Sequence, residues 1–238
     1  MTPLLVAESI GKRFGGRTVL TAATLRVEAG LITVLVGRNG IGKSTLLKIA
    51  AGWMRPDHGM VHFRGQCHLP ARLHRLAEGG LFYLPDRELL SPGFTVREHL
   101  ECVARHWGQR DERWIEEVVR LTALEKFLPQ RPPSLSVGEQ RRAELAVALL
   151  RRPVCLLADE PYRGLAPYDA EALSVTLHQL AESGCGVVIS GHEIPTLWSV
   201  ADRVVWCTDG TTYELGTPAA AASDWRFRQG YLTSALWI

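Results

Sequence analysis

The sequence lacks the strong positive charge of nucleic-acid-binding proteins and the long apolar runs of membrane-spanning proteins. Its charges nearly balance, with 27 basic and 25 acidic residues among 238 and a formal net charge of +2. Nucleic-acid-binding domains usually carry a strongly basic face, so we expect no nucleic-acid partner. The apolar runs are far shorter than the roughly 20 residues of a bilayer-spanning helix. We therefore expect a soluble chain, and a separate polypeptide must supply any membrane span.

Paired cysteines are also lacking. The five cysteines are scattered along the chain, and none forms a Cys-x-x-Cys pair. An odd, dispersed set is typical of reduced thiols in the cytosol and argues against a disulfide framework or a zinc site. The rest of the composition, 46% hydrophobic and 22% charged, fits one large α/β domain or two small lobes with a core.

Three apolar runs rich in β-branched residues indicate an α/β core. Residues 31–36, 154–158 and 186–190 are predicted to be buried strands. Helices are predicted at residues 43–51 and 168–183. Because strand, helix and strand in succession imply parallel pairing, we predict a mostly parallel sheet.

The other regions have different patterns. Residues 4–36 and 57–85 are predicted to contain short strands joined by turns. Residues 95–128 are predicted to be a helical insertion, opened by a capping box and ended by prolines. An Asp-Gly pair at 209–210, between two strand-like runs, predicts a β-hairpin.

A glycine-rich loop carries the most specific chemical signal. Residues 37–44 fit the pattern Gly-x-x-x-x-Gly-Lys-Ser between a predicted strand and a predicted helix. The glycines let backbone N–H groups surround phosphates, and the helix N-terminus favours an anion. Lys43 would reach the β- and γ-phosphates, and the Ser44 hydroxyl would ligate Mg²⁺. The predicted nucleotide-binding residues of the loop are Gly37, Arg38, Asn39, Gly40, Ile41, Gly42, Lys43, Ser44 and Thr45.

Two acids follow the predicted strand at 154–158. They lie at the carboxyl edge of the sheet, where α/β proteins bind ligands. Asp159 is placed to hold Mg²⁺ with Ser44, and Glu160 to act as general base for the attacking water. His192 follows the next strand and could contact the γ-phosphate and orient the water. An acidic loop start and a surface histidine are the plainer interpretations, but their order after the phosphate loop favours catalysis.

A further segment resembles a family signature. Leu135-Ser-Val-Gly-Glu-Gln140 is similar to the Leu-Ser-Gly-Gly-Gln signature of ATP-binding-cassette (ABC) ATPases, and it lies ahead of Asp159 as that family requires. Its Ser-x-x-Glu is also a capping box, and both interpretations can hold together. The resemblance spans about residues 4–235 and implies a single ABC ATPase domain with a P-loop NTPase α/β fold. That fold has a mostly parallel sheet core, an N-terminal antiparallel β lobe and an inserted helical lobe at about 90–135.

The resemblance also implies roles for single residues. Ser136, Gly138 and Glu139 would contact the γ-phosphate of ATP held by a second subunit. Phe14 would stack on adenine. Asp86 lies where the family has a loop that senses both Mg²⁺ and the partner protein, so we count it with the nucleotide-binding and the metal-binding residues. The implied cofactors are ATP and Mg²⁺.

Three positions depart from the family pattern. Val137 replaces a signature glycine, Asp86 replaces the usual Gln, and Ala166 replaces the usual Asp. A β-branched residue at 137 should weaken a contact that needs an unusual backbone conformation or close phosphate approach. These departures bear on turnover more than on ATP binding. The acid at 86, the Gly-Glu-Gln signature form and Gly-Leu-Ala-Pro at 164–167 together resemble the ATPase subunits of branched-chain amino-acid importers.

The implied function is the ATP-binding and ATP-hydrolysing subunit of an ABC transporter. Two cassettes, identical or different, would close around two Mg-ATP and drive a separate transmembrane permease from the cytoplasmic face of the cell membrane. One alternative is a soluble ABC ATPase in nucleic-acid or ribosome-related work, whose relatives usually carry two cassettes or long insertions. The other, which the departures at 137 and 166 suggest, is an ATP-gated scaffold with poor hydrolysis. The intact residues at 43, 159, 160 and 192 argue against it.

Overall fold

The computed structural model describes residues 2–87, 89–108 and 111–232. The strands are, in chain order, β1 (Leu5–Phe14), β2 (Arg17–Val27), β3 (Ile32–Val36), β4 (His58–Phe63), β5 (Gln66–His68), β6 (Leu81–Leu84), β7 (Cys155–Ala158), β8 (Gly186–Gly191), β9 (Arg203–Thr208) and β10 (Thr211–Gly216). The helices are α1 (Lys43–Ala50), α2 (Leu73–Glu78), α3 (Val96–His106), α4 (Glu112–Leu121), α5 (Val137–Leu150), α6 (Pro167–Glu182), α7 (Ile194–Val200), α8 (Pro218–Ser223) and α9 (Trp225–Phe227). A 3-10 turn at Pro132–Ser134 and a π-helical turn at Arg228–Leu232 complete these elements.

The core is a six-stranded sheet in the order β10-β9-β3-β8-β7-β6. Neighbours from β9 to β6 pair in parallel, whereas β9 and β10 form an antiparallel hairpin across the predicted Asp-Gly turn. β3, β7 and β8 are buried along their whole length, as expected for strands covered on both faces. The predicted mostly parallel sheet is thus confirmed, and the carboxyl ends of β3, β8 and β7 lie side by side at one edge.

A second sheet, in the order β2-β1-β4-β5, is antiparallel throughout. Its inward side chains, among them Leu5, Ile10 and Leu25, pack in one buried cluster with Leu46 and Leu47 of α1 and with one face of the core sheet. This arrangement confirms the antiparallel lobe near the N-terminus. It also fixes α1, and with it the loop that precedes α1, against the core.

Helices α3 and α4 form the inserted helical lobe. Thr95 and Glu98 make the predicted capping box at α3, and the Asp111 side chain caps α4 by accepting the N–H of Trp114 at 3.3 Å. Buried residues of both helices join the core cluster of α5. Among the described residues, none of the helices has both the length and the apolar character needed to cross a bilayer.

Two arginines at the end of α5 hold the helical lobe in place. The guanidinium of Arg151 lies 3.1 Å from the ring centre of Trp107, and that of Arg152 lies 4.5 Å from the ring centre of Trp114. Cation–π contacts contribute roughly 0.5–2 kcal/mol each. The lobe therefore meets α5 through side-chain contacts as well as through the loops that connect them.

Short helices are the elements that the sequence patterns miss. Helix α2 lies in the 57–85 region, whose pattern predicts strands and turns. Within the described chain, Arg72 at its N-cap makes no capping hydrogen bond, so the sequence offers no start signal there. The domain bounds 4–235 and the lobe bounds 90–135 stay predictions. Residues 109–110 of that lobe and 233–235 at the end of that domain lie outside the described residues.

Candidate nucleotide-binding site

The glycine-rich loop joins the end of β3 to the start of α1. Gly42 is the N-cap of α1 with φ of 119°, a left-handed conformation that favours glycine. A Cβ at this position would approach Leu20 Cδ2 to 2.8 Å, so a side chain does not fit. No side chain among the described residues caps α1. The first N–H groups of the helix are therefore available to bind an anion.

Lys43 is buried at the base of the loop, with 5% of its surface exposed. Its Nζ donates to the carbonyl oxygens of Gly37 at 2.8 Å and Arg38 at 3.3 Å. The same atom lies 3.5 Å from Glu160 Oε1. Because an unpaired buried charge is costly, these oxygens stabilise the cation before any nucleotide arrives. The loop thus holds its ammonium group within reach of both the cleft and Glu160.

Asp159 follows β7 and is 1% exposed. Its Oδ1 accepts hydrogen bonds from Ser190 Oγ at 2.6 Å and from Ser44 Oγ at 3.0 Å. Its Oδ2 accepts one from the Tyr83 hydroxyl at 3.3 Å. Burial raises the pKa of Tyr83, and the nearby Asp159 carboxylate adds to the rise, so this phenol remains a donor. Three hydroxyl groups therefore orient the Asp159 carboxylate.

The oxygen atoms of Ser44 and Asp159 suit a magnesium ion. Mg²⁺ prefers hard oxygen ligands and commonly combines one or two carboxylates with waters and phosphate oxygens of the substrate. The described part of the chain contains no cluster of three or more His, Cys, Asp or Glu side chains that could hold a metal alone. The donor set therefore fits Mg²⁺ that binds together with a nucleotide.

The structure brings Glu160 and His192 together. His192 Nδ1 lies 3.1 Å from Glu160 Oε2, and both residues line the same cleft. Glu160 has φ of 48°, which is uncommon for a residue other than glycine, and its N–H donates to Ser190 Oγ at 2.9 Å. Such strained backbone clusters at functional sites. Ser190 is a contact that sequence patterns do not single out.

The cleft in front of the loop has a volume of about 600 Å³. The predicted residues that line it are Asn39, Gly40, Gly42, Lys43, Ser44, Thr45, Asp86, Glu160 and His192. The lining residues that sequence reasoning missed are Arg17, Val19, Arg163 and Glu193. Of the predicted residues, Gly37, Arg38 and Ile41 of the loop and Asp159 are not among the described residues that line the cleft. Gly37 and Arg38 contribute instead the carbonyl oxygens that hold Lys43.

Asp86 lines the cleft, but its carboxylate already has cationic partners. Its Oδ2 lies 2.9 Å from Arg163 Nη1 and 3.7 Å from Arg87 Nε. A metal ion would have to compete with Arg163 for this carboxylate. The contact of Asp86 with Mg²⁺ therefore stays a prediction.

The backbone of the Asp86 loop is attached to α5. Arg141 donates to the carbonyl oxygens of Pro85 at 3.1 Å and Asp86 at 2.9 Å, and it pairs with Glu144 at 2.8 Å. Burial raises the pKa of Glu144 despite the opposing charge of Arg141. The buried pair thus connects this loop to the helix that begins at the signature-like segment.

Phe14 ends β1 and is 46% exposed, with Lys12 Nζ 5.6 Å from its ring centre. It is not among the described residues that line the cleft, whereas Arg17 and Val19 of the same hairpin are. Stacking of Phe14 on adenine therefore stays a prediction. The exposed ring is available for such a contact.

The signature-like segment opens α5. Ser136 Oγ accepts the N–H of Glu139 at 3.3 Å, and Glu139 Oε2 accepts the N–H of Ser136 at 2.7 Å, which confirms the capping box. Gly138 is buried, and a Cβ there would overlap the carboxylate of Asp169. None of the described residues 135–140 lines the phosphate cleft of its own chain.

The departures from the family pattern at 137 and 166 are both exposed. Val137 has 57% of its surface exposed, and its Cγ1 would lie 3.6 Å from a Cβ built on Gly164. Ala166 is the N-cap of α6, and its methyl side chain cannot accept a capping hydrogen bond. The two segments are therefore neighbours on one accessible surface.

Comparison with known proteins identifies the family. Residues 20–163 match the family described as ABC transporter. A probable ABC transporter ATP-binding protein of Azorhizobium caulinodans is 31% identical over 233 residues, which is 96% of this chain and 82% of that protein. The lipopolysaccharide export system ATP-binding protein LptB of Acidithiobacillus ferridurans is 30% identical over 236 residues, 98% of each chain. A solved structure of an ATP-binding subunit of an ABC transporter matches with a TM-score of 0.83 at 27% identity over 98% of both chains.

The names of these relatives agree with the function that the sequence motifs imply, and they give no support to a role in nucleic-acid or ribosome-related work. The α/β fold and its inserted helical lobe are those of ABC ATPase cassettes. The chain belongs to the ABC transporter family, as an ATP-binding subunit that hydrolyses ATP to drive transport.

Proposed function

We propose that two copies of this chain close head to tail around two Mg-ATP, so that each phosphate loop faces Ser136 and Gly138 of the other copy. The position of Ser136 carries this proposal. It lies exposed at the N-terminus of α5 and outside the phosphate cleft of its own chain. A helix N-terminus favours an anion, and a second subunit would supply the γ-phosphate that this segment lacks.

Hydrolysis in each composite site is assigned to Glu160 and His192. Glu160 accepts a proton from the attacking water as general base. His192, 3.1 Å from Glu160 Oε2, orients that water and contacts the γ-phosphate. Lys43 exchanges the carbonyl oxygens of its loop for phosphate oxygens, which places its charge where negative charge develops.

Binding of Mg²⁺ and stacking on adenine complete the proposed ATP site. Ser44 and Asp159 would hold Mg²⁺, which when bound would neutralise negative charge on the phosphates. Asp86 would be a further ligand if its carboxylate were released from Arg163. Phe14 stacks on adenine from the exposed end of its hairpin.

A separate membrane permease is the proposed partner. A second cleft, of about 620 Å³, lies between the Asp86 loop, the 3-10 turn at Pro132–Ser134 and the first turns of α5. Asp86 and Arg163 line both this cleft and the phosphate cleft, so a cytoplasmic helix of the permease in the second cleft would lie close to the ATP site. The chain would then work at the inner face of the cell membrane.

Purification of the tagged chain from its native membranes in mild detergent tests this partner. We expect a protein with several membrane spans to co-purify, because the similar proteins are named as ATP-binding proteins of transport systems. Mass spectrometry identifies the partner, and its identity narrows the cargo and direction of transport. Recovery of soluble proteins or ribosomes alone would contradict the proposal.

Mixing two inactive variants tests the head-to-tail dimer. Lys43→Ala removes the phosphate-loop cation, and Ser136→Arg obstructs the signature-like segment. A mixed dimer contains one site with both changes and one site with neither. An equal mixture should therefore recover about a quarter of wild-type turnover, since half of the dimers would be mixed.

Ser134→Arg is the matched control for Ser136→Arg. Ser134 is also exposed and lies two residues earlier, where its Oγ donates to the Arg131 carbonyl. Ser134→Arg should retain wild-type turnover on its own. If the mixture of Lys43→Ala and Ser136→Arg shows no more activity than its two components, the shared site is wrong.

A further inference from the structure

Ser190 is a buried hydroxyl that contacts two parts of the catalytic site at once. It lies in β8, two residues before His192, and is 1% exposed. Its Oγ donates to Asp159 Oδ1 at 2.6 Å and accepts the backbone N–H of Glu160 at 2.9 Å. Both roles of the hydroxyl, donor and acceptor, are therefore used.

The two contacts serve different functions. The bond to Asp159 is the shortest that this carboxylate makes among the described residues, and hydrogen bonds to charged groups are the strong ones. The bond from Glu160 stabilises a residue with φ of 48°, a conformation that costs energy and persists only where its surroundings hold it. One side chain thus orients both the metal-binding acid and the general base.

Ser190 differs from Ser44, the other serine on Asp159 Oδ1. Ser44 lines the phosphate cleft, where its hydroxyl is assigned to the metal ion. Ser190 is not among the described residues that line that cleft. It lines a separate small cavity together with Glu160 and His192. Both hydrogen bonds of the Ser190 hydroxyl are therefore made to the protein, away from the phosphate cleft.

We propose that Ser190 is a positioning residue, which fixes the Asp159 carboxylate for Mg²⁺ and the Glu160 backbone for proton transfer. The inference rests on the proposed roles of Asp159 and Glu160. Without this hydroxyl, Asp159 loses its shortest hydrogen bond and the Glu160 N–H loses its acceptor. Ser190 is buried and is not among the described residues that line the phosphate cleft, so the nucleotide should bind to the variant as before when metal is absent.

The test is Ser190→Ala with three readouts. We expect ATP affinity in EDTA, measured with a fluorescent ATP analogue, to stay within about twofold of wild type. Mn²⁺ binding is followed by electron paramagnetic resonance in the presence of a non-hydrolysable ATP analogue. The Mn²⁺ concentration for half-maximal binding should rise about tenfold, which corresponds to the loss of one charge-assisted hydrogen bond. The kcat for ATP should fall by about tenfold or more with little change in KM.

Ser174→Ala is the matched control, because it too deletes a serine hydroxyl that makes two hydrogen bonds. The Ser174 hydroxyl is partly buried, and its bonds are to Tyr162 and the Ala170 carbonyl. This variant should leave Mn²⁺ dependence and kcat unchanged. Ser190→Thr retains the hydroxyl and should restore the Mn²⁺ dependence. If Ser190→Ala does not fold, Ser190→Cys replaces it, because a thiol of similar size is a much weaker donor.

The outcomes separate this inference from the proposed function. A folded Ser190→Ala protein with wild-type Mn²⁺ dependence and kcat would overturn the positioning role while leaving the ATPase assignment intact. A wild-type chain that shows no metal-dependent nucleotide binding would overturn both. A uniform loss of ATP affinity in EDTA would point to a merely structural effect and would also contradict the inference.

Discussion

Replacing Glu160 by glutamine is expected to lower ATP turnover by about two to four orders of magnitude, the range that general-base catalysis contributes. Glutamine keeps the shape of the side chain but cannot accept the proton of the attacking water. The Glu160 carboxylate lies 3.1 Å from His192 Nδ1 and 3.5 Å from Lys43 Nζ, where it faces the phosphate cleft. The ATP-binding groups are untouched, so bound ATP should persist and the closed dimer should accumulate.

Phosphate release and light scattering after size exclusion measure these two effects on the same sample. The control is Glu182→Gln, an identical change at an exposed position on the last turn of α6, which should behave as wild type. Turnover within tenfold of wild type in Glu160→Gln would remove Glu160 from the role of general base. A monomeric Glu160→Gln protein with ATP bound would instead count against closure around ATP.

Replacing Lys43 by alanine is expected to weaken ATP binding by about 100-fold, the loss of one or two charge-assisted hydrogen bonds. The structure gives the reason, since the ammonium group is already buried and oriented by the carbonyl oxygens of Gly37 and Arg38. No large rearrangement is needed to present it to phosphates. The variant also leaves these carbonyl oxygens without their donor, which should loosen the loop.

Isothermal titration with Mg-ATP measures the affinity. Lys48→Ala removes a lysine from the last turn of the same helix, outside the described lining of the cleft, and should bind ATP as wild type does. Equal affinities for the two variants would mean that Lys43 does not contact the nucleotide.

Much of the fold and part of the site follow from local sequence patterns. The glycine-rich loop, the capping boxes at Thr95 and Ser136 and the Asp-Gly hairpin each involve residues a few positions apart, so their spacing alone specifies the geometry. Buried strands could be predicted from apolar content because a strand covered on both faces needs little else. The carboxyl-edge rule for α/β sheets then placed Asp159 and Glu160 near the loop.

Contacts between distant segments could not be predicted in this way. Arg163 pairs with Asp86 across 77 positions of sequence, and Ser190 contacts Asp159 across 31. Neither has a distinctive sequence context, because a serine in an apolar strand and an arginine after a Pro-Tyr pair are compatible with many environments. Helix α2 is short and lacks a capping side chain, so the packing around it, more than its own sequence, sets its conformation.

Helix α5 has the geometry of a lever arm. Its 14 residues form a rod about 21 Å long. Ser136 lies at the N-terminal end, and Arg151 contacts Trp107 at the C-terminal end. Between them, Arg141 donates hydrogen bonds to the carbonyl oxygens of Pro85 and Asp86. A tilt of about 10° about the C-terminal end would carry the first turn through about 3.6 Å, given the rise of the helix. That distance exceeds the length of a hydrogen bond, so a tilt of this size would break the contact that we propose between Ser136 and the ATP of the other copy.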